Sequence, residues 1–164
     1  MIAAAVVSVI AAAIFSPAYL TLRDADTGRV YARWRVVEGT EFSIEFVHSV
    51  NQTPVRDVFA VAGTDIAPVE TVFYGFGAGM QTELTENQRL VYHDDGSMSI
   101  TGFSQRLDAL NYIVGTVSDH VLDIGGESIS LRDCCGRNAA VTLKIEKNGL
   151  TWVYALSPAL ALGE

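Results

Sequence analysis

Phe42-Ser43-Ile44-Glu45-Phe46-Val47-His48-Ser49-Val50-Asn51-Gln52-Thr53-Pro54-Val55-Arg56-Asp57 is the stretch whose reading decides the fold. Phe42, Ile44, Phe46, His48 and Val50 fall on one side of an extended chain, and Ser43, Glu45 and Ser49 on the other. A period of two marks a half-buried β-strand, because successive side chains of a strand point to opposite faces. The alternation therefore predicts His48 on the core face, paired from within the fold, and Ser49 facing away from it. Asn51-Gln52-Thr53-Pro54 turns the chain, and Pro54 opens the returning strand, where a missing N–H does least damage. On the return, Val55, Asp57, Phe59 and Val61 share a face, which sets a carboxylate among apolar neighbours.

Working outward, the same grammar repeats. Residues 19–22 and 30–36 flank the turn signal Asp24-Ala25-Asp26-Thr27-Gly28, with Val30, Ala32, Trp34 and Val36 inward and Arg33 and Arg35 outward. A strand over 69–74 runs into Gly75-Phe76-Gly77-Ala78-Gly79, a backbone suited to bends or close approach, without the strand-to-helix context of a phosphate loop. Asp94-Asp95-Gly96 predicts a hairpin between 90–93 and 97–100, and Asn148-Gly149 predicts another between 141–146 and 150–154. Gly125-Gly126 turns residues 121–124 into 128–131, and residues 105–111 are the one stretch that reads as a short helix or turn. Many short strands with regular turns predict an all-β fold, an antiparallel β-sandwich or open barrel.

At 164 residues with 49% apolar content the chain has room for one ordered domain, placed at 23–156, with 157–164 as a tail. Residues 2–22 carry no charged side chain and predict an N-terminal hydrophobic helix about 30 Å long, either a signal peptide or a membrane anchor. Both readings place the domain in the periplasm or on the extracytoplasmic face, anchored to the cytoplasmic membrane or secreted. A net charge of -8, with eleven Lys and Arg scattered singly, argues against a nucleic-acid partner. The adjacent Cys134-Cys135 pair gives no conventional disulfide framework, and a vicinal disulfide, two free thiols or pairing with another chain all stay open.

The ordered blocks His48-Ser49-Val50, Thr53-Pro54-Val55, Glu70-Thr71 with Phe73, Gly77-Ala78-Gly79 and Asp119-His120 resemble the DUF1850 family of exported bacterial proteins. The resemblance covers most of residues 20–150. It implies a small membrane-anchored domain associated with TRAP transporters of the TAXI class, and so with solute uptake, without an established activity.

The polar residues of these blocks admit several chemistries. His48, His120 and Glu70 or Asp57 supply the ligand count of a catalytic zinc, although no compact spacing assembles them. Both histidines equally suit core positions hydrogen-bonded to Asp57, Glu70 or backbone, because a buried imidazole is costly without a partner. A triad of Ser49, His120 and Asp57 lacks a nucleophile elbow. A binding cleft at one end of the fold would use His48, Ser49, Thr53, Pro54, Gly77, Gly79, Asp119 and His120, with Arg56, Arg89 or Arg106 as counter-charge for a small organic acid. The reading that follows is a non-enzymatic extracytoplasmic accessory or solute-sensing domain that works with TAXI-type TRAP subunits and needs no cofactor. A metal-dependent or hydrolytic enzyme, and a structural domain assembling through its edge strands, are the alternatives.

Overall fold

The structure, a computed structural model, describes residues 17–76 and 83–147. Residues 1–16 of the predicted leader, Gly77-Ala78-Gly79, the hairpin at Asn148-Gly149 and the tail 157–164 lie outside the described residues. The strands are β1 (Ala18–Asp24), β2 (Val30–Val36), β3 (Glu41–Val47), β4 (Pro54–Ala62), β5 (Asp65–Phe73), β6 (Arg89–Tyr92), β7 (Met98–Thr101), β8 (Leu110–Ile113), β9 (His120–Ile124), β10 (Glu127–Ser130) and β11 (Ala140–Lys147). One short helix, α1 (Leu131–Cys135), lies between β10 and β11.

Two antiparallel sheets form, one in the order β2-β1-β11-β8 and one in the order β10-β9-β3-β4-β5-β7-β6. Neither closes on itself, so the fold is a sandwich and not a barrel. Leu20, Leu22, Leu143 and Ile145 from the small sheet meet Phe42, Ile44, Phe59 and Leu122 from the large one in a single core. Ile44 is fully buried at the centre of that core, where truncation to alanine removes about 2–5 kcal/mol of stability. A second cluster of Val55, Phe73, Met98 and Ile100 extends the apolar face toward β6.

Strand β1 corrects the reading of residues 18–22 as leader. Those residues form most of a strand hydrogen-bonded to β11 on one side and β2 on the other, with Leu20 and Leu22 fully buried. An uncharged run that fills the centre of a sheet has the same composition as one that enters a membrane, and only its neighbours distinguish the two. Among the described residues no helix is long and apolar enough to cross a membrane.

The turn after β1 is held as its sequence predicts. Asp24 Oδ1 accepts from Thr27 N–H and from Thr27 Oγ1, both at 2.8 Å, and Oδ2 accepts from the Tyr31 hydroxyl. The Thr27 amide, the Thr27 hydroxyl and Tyr31 together lower the pKa of Asp24 to about 2.

A short helix or turn was expected at 105–111, and the helix among the described residues occurs at 131–135. Leu107 pairs with Ile66 in an isolated bridge, and Leu110 begins β8. Helix α1 starts instead at Ser130, whose hydroxyl accepts from Asp133 N–H at 3.0 Å, a side-chain cap that a strand-ending serine can supply.

The sandwich has two poles. Ala18 lies opposite both Lys147 and Val36, so the described chain enters and leaves at one pole. At the other pole β3 ends opposite the start of β4, β5 ends, β8 ends and β9 begins.

Candidate functional site

At this second pole the β3–β4 turn faces the β8–β9 loop. Strand β3 ends at Val47, one residue before the histidine. His48 therefore sits in the turn, which corrects its predicted place on the core face: alternation stops constraining direction once the ladder ends. The turn closes through His48 N–H to Thr53 O and Gln52 N–H to His48 O, each 2.9 Å. Nδ1 of His48 accepts from the amides of Val50 at 3.2 Å and Asn51 at 3.4 Å. An accepting Nδ1 places the ring proton of the neutral imidazole on Nε2. His48 Nδ1 thus holds amides of the turn in which it sits.

The opposite wall is built around His120. Its ring stacks on Phe46 with centroids 5.2 Å apart and tilts against Tyr112 at 5.5 Å. His120 Nδ1 accepts from Gly115 N–H at 3.3 Å, so this imidazole too holds its loop by a backbone amide. Burial lowers the His120 pKa, the Arg132 charge lowers it further and Asp119 opposes the shift. The ring is accordingly neutral at pH 7.

Asp119 anchors the loop from behind. Its carboxylate accepts from Ser130 Oγ at 2.5 Å and from Arg132 N–H at 3.1 Å, so it braces the capping serine and the first turn of α1 together. Arg132 Nη2 in turn donates to Val117 O at 2.9 Å. Ser118 Oγ accepts from Val47 N–H at 2.9 Å, which ties the loop to the end of β3. Asn51 Nδ2 donates to Gly75 O at 3.1 Å and draws the segment after β5 onto the same pole.

Between the two walls lies a cleft of about 490 Å³, lined by residues 46–49 and 52 on one side and 115–118 and 120 on the other. A neighbouring hollow of about 340 Å³ shares residues 46, 47, 52, 117 and 118 with it. No Arg or Lys is among the lining residues of either.

The remaining predicted site residues divide between faces. Asp57 points inward beside Ile44 and accepts from Thr71 Oγ1 at 2.7 Å. Burial raises its pKa, with the Thr71 hydroxyl opposing. Tyr112 comes close enough from the small sheet to feel the Asp57 charge, and burial followed by that charge raises its pKa. Glu70 lies one position from Thr71 on β5 and so faces the other side of the sheet, away from Asp57. Thr53 is half-buried, with its hydroxyl oxygen shielded and without a hydrogen-bond partner among the described residues, and Pro54 opens β4 as predicted.

This arrangement separates the sets drawn from the sequence. His120 spends Nδ1 on Gly115 and Asp57 binds Thr71, so Ser49, His120 and Asp57 do not form a hydrogen-bonded relay. Among the described residues no three His, Cys, Asp or Glu side chains are placed to hold a metal ion. Arg56 lies on the outer face of the large sheet, donating to Ser43 Oγ at 3.0 Å, and Arg89 is on the edge strand β6. Cys134 and Cys135 are free thiols, and burial, then Cys134, pushes Cys135 up to about 12.

A comparison with protein-family models matches residues 42–131, more than half of the chain, to the domain of unknown function DUF1850. The chain belongs to the DUF1850 family. The matched DUF1850 segment begins in β3 and ends at the first residue of α1, so it contains both walls of the cleft. Comparison with curated proteins and with solved structures gave no match.

Gly115 and Arg132 shape the site without a sequence signal to single them out, whereas Ser130 has one, a serine three residues before Asp133 at a helix start.

Proposed function

We propose that this DUF1850 domain is a non-enzymatic accessory or solute-sensing domain on the extracytoplasmic side of the cytoplasmic membrane, working with a TAXI-type TRAP transporter. The observation that carries the reading is how the site spends its polar groups. His48, Asp119 and His120 all use ring nitrogens or carboxylate oxygens to hold backbone amides, in the β3–β4 turn, in the first turn of α1 and in the β8–β9 loop respectively. Side chains committed to wall geometry make a recognition surface, whereas general acid–base or nucleophilic work needs them aimed at a reacting atom. A cleft near 490 Å³ falls in the size range of ligand sites. The uncharged run 2–22, whose last residues enter β1, supports an export signal or anchor.

Deletion of the gene, scored by uptake of the transporter's solute, tests the reading. Uptake or its regulation should change, and purified full-length protein should bind a transporter subunit. Unchanged uptake with no subunit bound sinks the proposal.

A further inference from the structure

The outer face of the seven-stranded sheet carries opposite charges that do not pair. Ser43 lies opposite Asp123 on β9 and Val58 on β4, and Glu45, one step along the same face, lies opposite Arg56. Arg56 makes no ion pair with that partner and donates instead from Nε to the hydroxyl of Ser43 at 3.0 Å, over a serine only 2% exposed. Asp123 Oδ1 accepts from the Ser128 hydroxyl. No ion pair joins Arg56 to Glu41, Glu45 or Asp123. Both charges are thus positioned by neutral hydroxyls, and a guanidinium with five donors and a carboxylate with two oxygens keep capacity for more.

Arg56, Ser43, Asp123 and Glu41 line a hollow of about 160 Å³, together with the Gly125-Gly126 turn, a wall without side chains. It shares no residue with the cleft and lies toward the start of β3, whereas the cleft lies at that strand's end. The volume falls below the roughly 300–1,000 Å³ of drug-sized ligand sites and suits a small solute.

The lining charges select the kind of solute. A simple anion meets Arg56 together with two carboxylates, and a simple cation meets those carboxylates with the guanidinium beside them. A molecule carrying both charges satisfies both signs at once. Cross-strand neighbours stand about 5 Å apart at Cβ, so the guanidinium over Ser43 and the Asp123 carboxylate are separated on the scale of an ammonium and a carboxylate joined through one carbon. No internal ion pair has to break before such a ligand binds, and its own bonds are charge-assisted.

We infer that this hollow binds the zwitterionic head group of a free α-amino acid, with the ligand carboxylate on Arg56 and its ammonium between Asp123 and Glu41. The site goes beyond the transporter reading and does not depend on it.

The test follows backbone amide resonances of the isotope-labelled full-length protein while free L-alanine is added to about 10 mM. Alanine should shift amides at 41–43, 56 and 123–126 and leave 46–49 and 115–118 of the cleft unmoved. N-acetylalanine lacks the ammonium and alaninamide lacks the carboxylate, and each should bind about tenfold or more weakly. Arg56→Gln and Asp123→Asn should each weaken alanine binding about tenfold or more, and Arg89→Gln on the edge strand β6 by less than about twofold. Asparagine still accepts from Ser128, and matched melting temperatures confirm intact folds; if either variant unfolds, the two analogues decide the matter on the parent protein. Absence of a saturable shift, shifts confined to the cleft, an analogue that binds as well as alanine, or folded variants with full affinity would each overturn the inference, and each leaves the transporter reading standing.

Discussion

A methyl group added at Gly115 would sit 2.0 Å from the carbonyl oxygen of Ser118 and 3.1 Å from its carbonyl carbon. Both are backbone atoms, so no change of rotamer relieves the contact and the 115–118 loop must open. Opening draws Ser118 Oγ away from Val47 N–H and Gly115 N–H away from His120 Nδ1, which are held at 2.9 and 3.3 Å. Overpacking of this kind costs about 1–3 kcal/mol, and each lost hydrogen bond adds about 1 kcal/mol. Gly115→Ala should therefore destabilise the domain by about 3–5 kcal/mol. With a urea slope of about 2 kcal/mol/M, the unfolding midpoint falls by about 1.5–2.5 M. Gly28→Ala is the control, because a Cβ there meets nothing within 4 Å and only its φ of +71° is strained, a cost of about 1–2 kcal/mol. A Gly115→Ala midpoint within about 0.3 M of the parent, with the His120 ring resonances unmoved, would refute the account of the loop.

Three further outcomes are expected. Burial raises the Asp57 pKa above 3.8, so the folded state holds that proton more tightly than the unfolded chain. The ionised carboxylate therefore weakens the fold at neutral pH, and the penalty disappears as pH falls through the raised value and then 3.8. Asp57→Asn, whose amide oxygen still accepts from Thr71, should raise the urea midpoint at pH 7 and lose that advantage near pH 3; a lower midpoint at pH 7 contradicts the assignment. His120 has the opposite sense: its folded pKa lies below 6.5, so the unfolded chain takes up the proton first and stability drops as pH falls below 6.5. His120→Phe keeps the stack on Phe46 and Tyr112 and should flatten that slope, measured as melting temperature between pH 7 and 5. Asp119→Ala leaves Ser130 and the Arg132 amide without their carboxylate, which should cost about 2–4 kcal/mol and speed amide exchange in residues 131–135; protection equal to the parent would show that α1 does not depend on Asp119.

How much of this was legible in the sequence depended on whether a residue lay inside a ladder or beyond its end. Phe42, Ile44, Phe59 and Val61 were placed correctly because each sits in a regular run where a period of two fixes direction. His48 was misplaced by the same rule, since β3 stops at Val47 and the next side chain answers to the turn. Leu20 and Leu22 were read both as the segment before the first turn and as the end of a leader, because burial between strands and burial in lipid ask for the same composition and register with β11 is a long-range fact. The approach of Tyr112 to Asp57 joins two sheets, a pairing that no local pattern encodes. Helix α1 was missed at five residues, too short for its own period to show, and its Leu131 was read as the end of the strand after Gly125-Gly126.

The positions where reading failed are also where the polar residues of the family segment sit, and the reason is physical. In the middle of a strand, neighbouring backbones satisfy one another and side chains are free to pack. At a pole the ladder ends and amides are left without partners, each costly if buried unpaired. Val50, Asn51, Gly115 and Arg132 are such amides, and His48, His120 and Asp119 are the side chains that meet them. Imidazole and carboxylate groups that suggest catalysis when read as a string thus act in place of missing strands. The matched residues 42–131 carry that substitution on both walls of the cleft, whereas β1, β2 and β11, which lie outside the match, give the core Leu20, Leu22 and Leu143. A covering sheet of that kind needs apolar volume and register, demands that many sequences meet. The cleft needs named groups at named ends. Residues 42–131 hold both walls of the cleft together with the whole seven-stranded sheet behind it, so the groups that close the strand ends rest on a sheet that the same segment supplies.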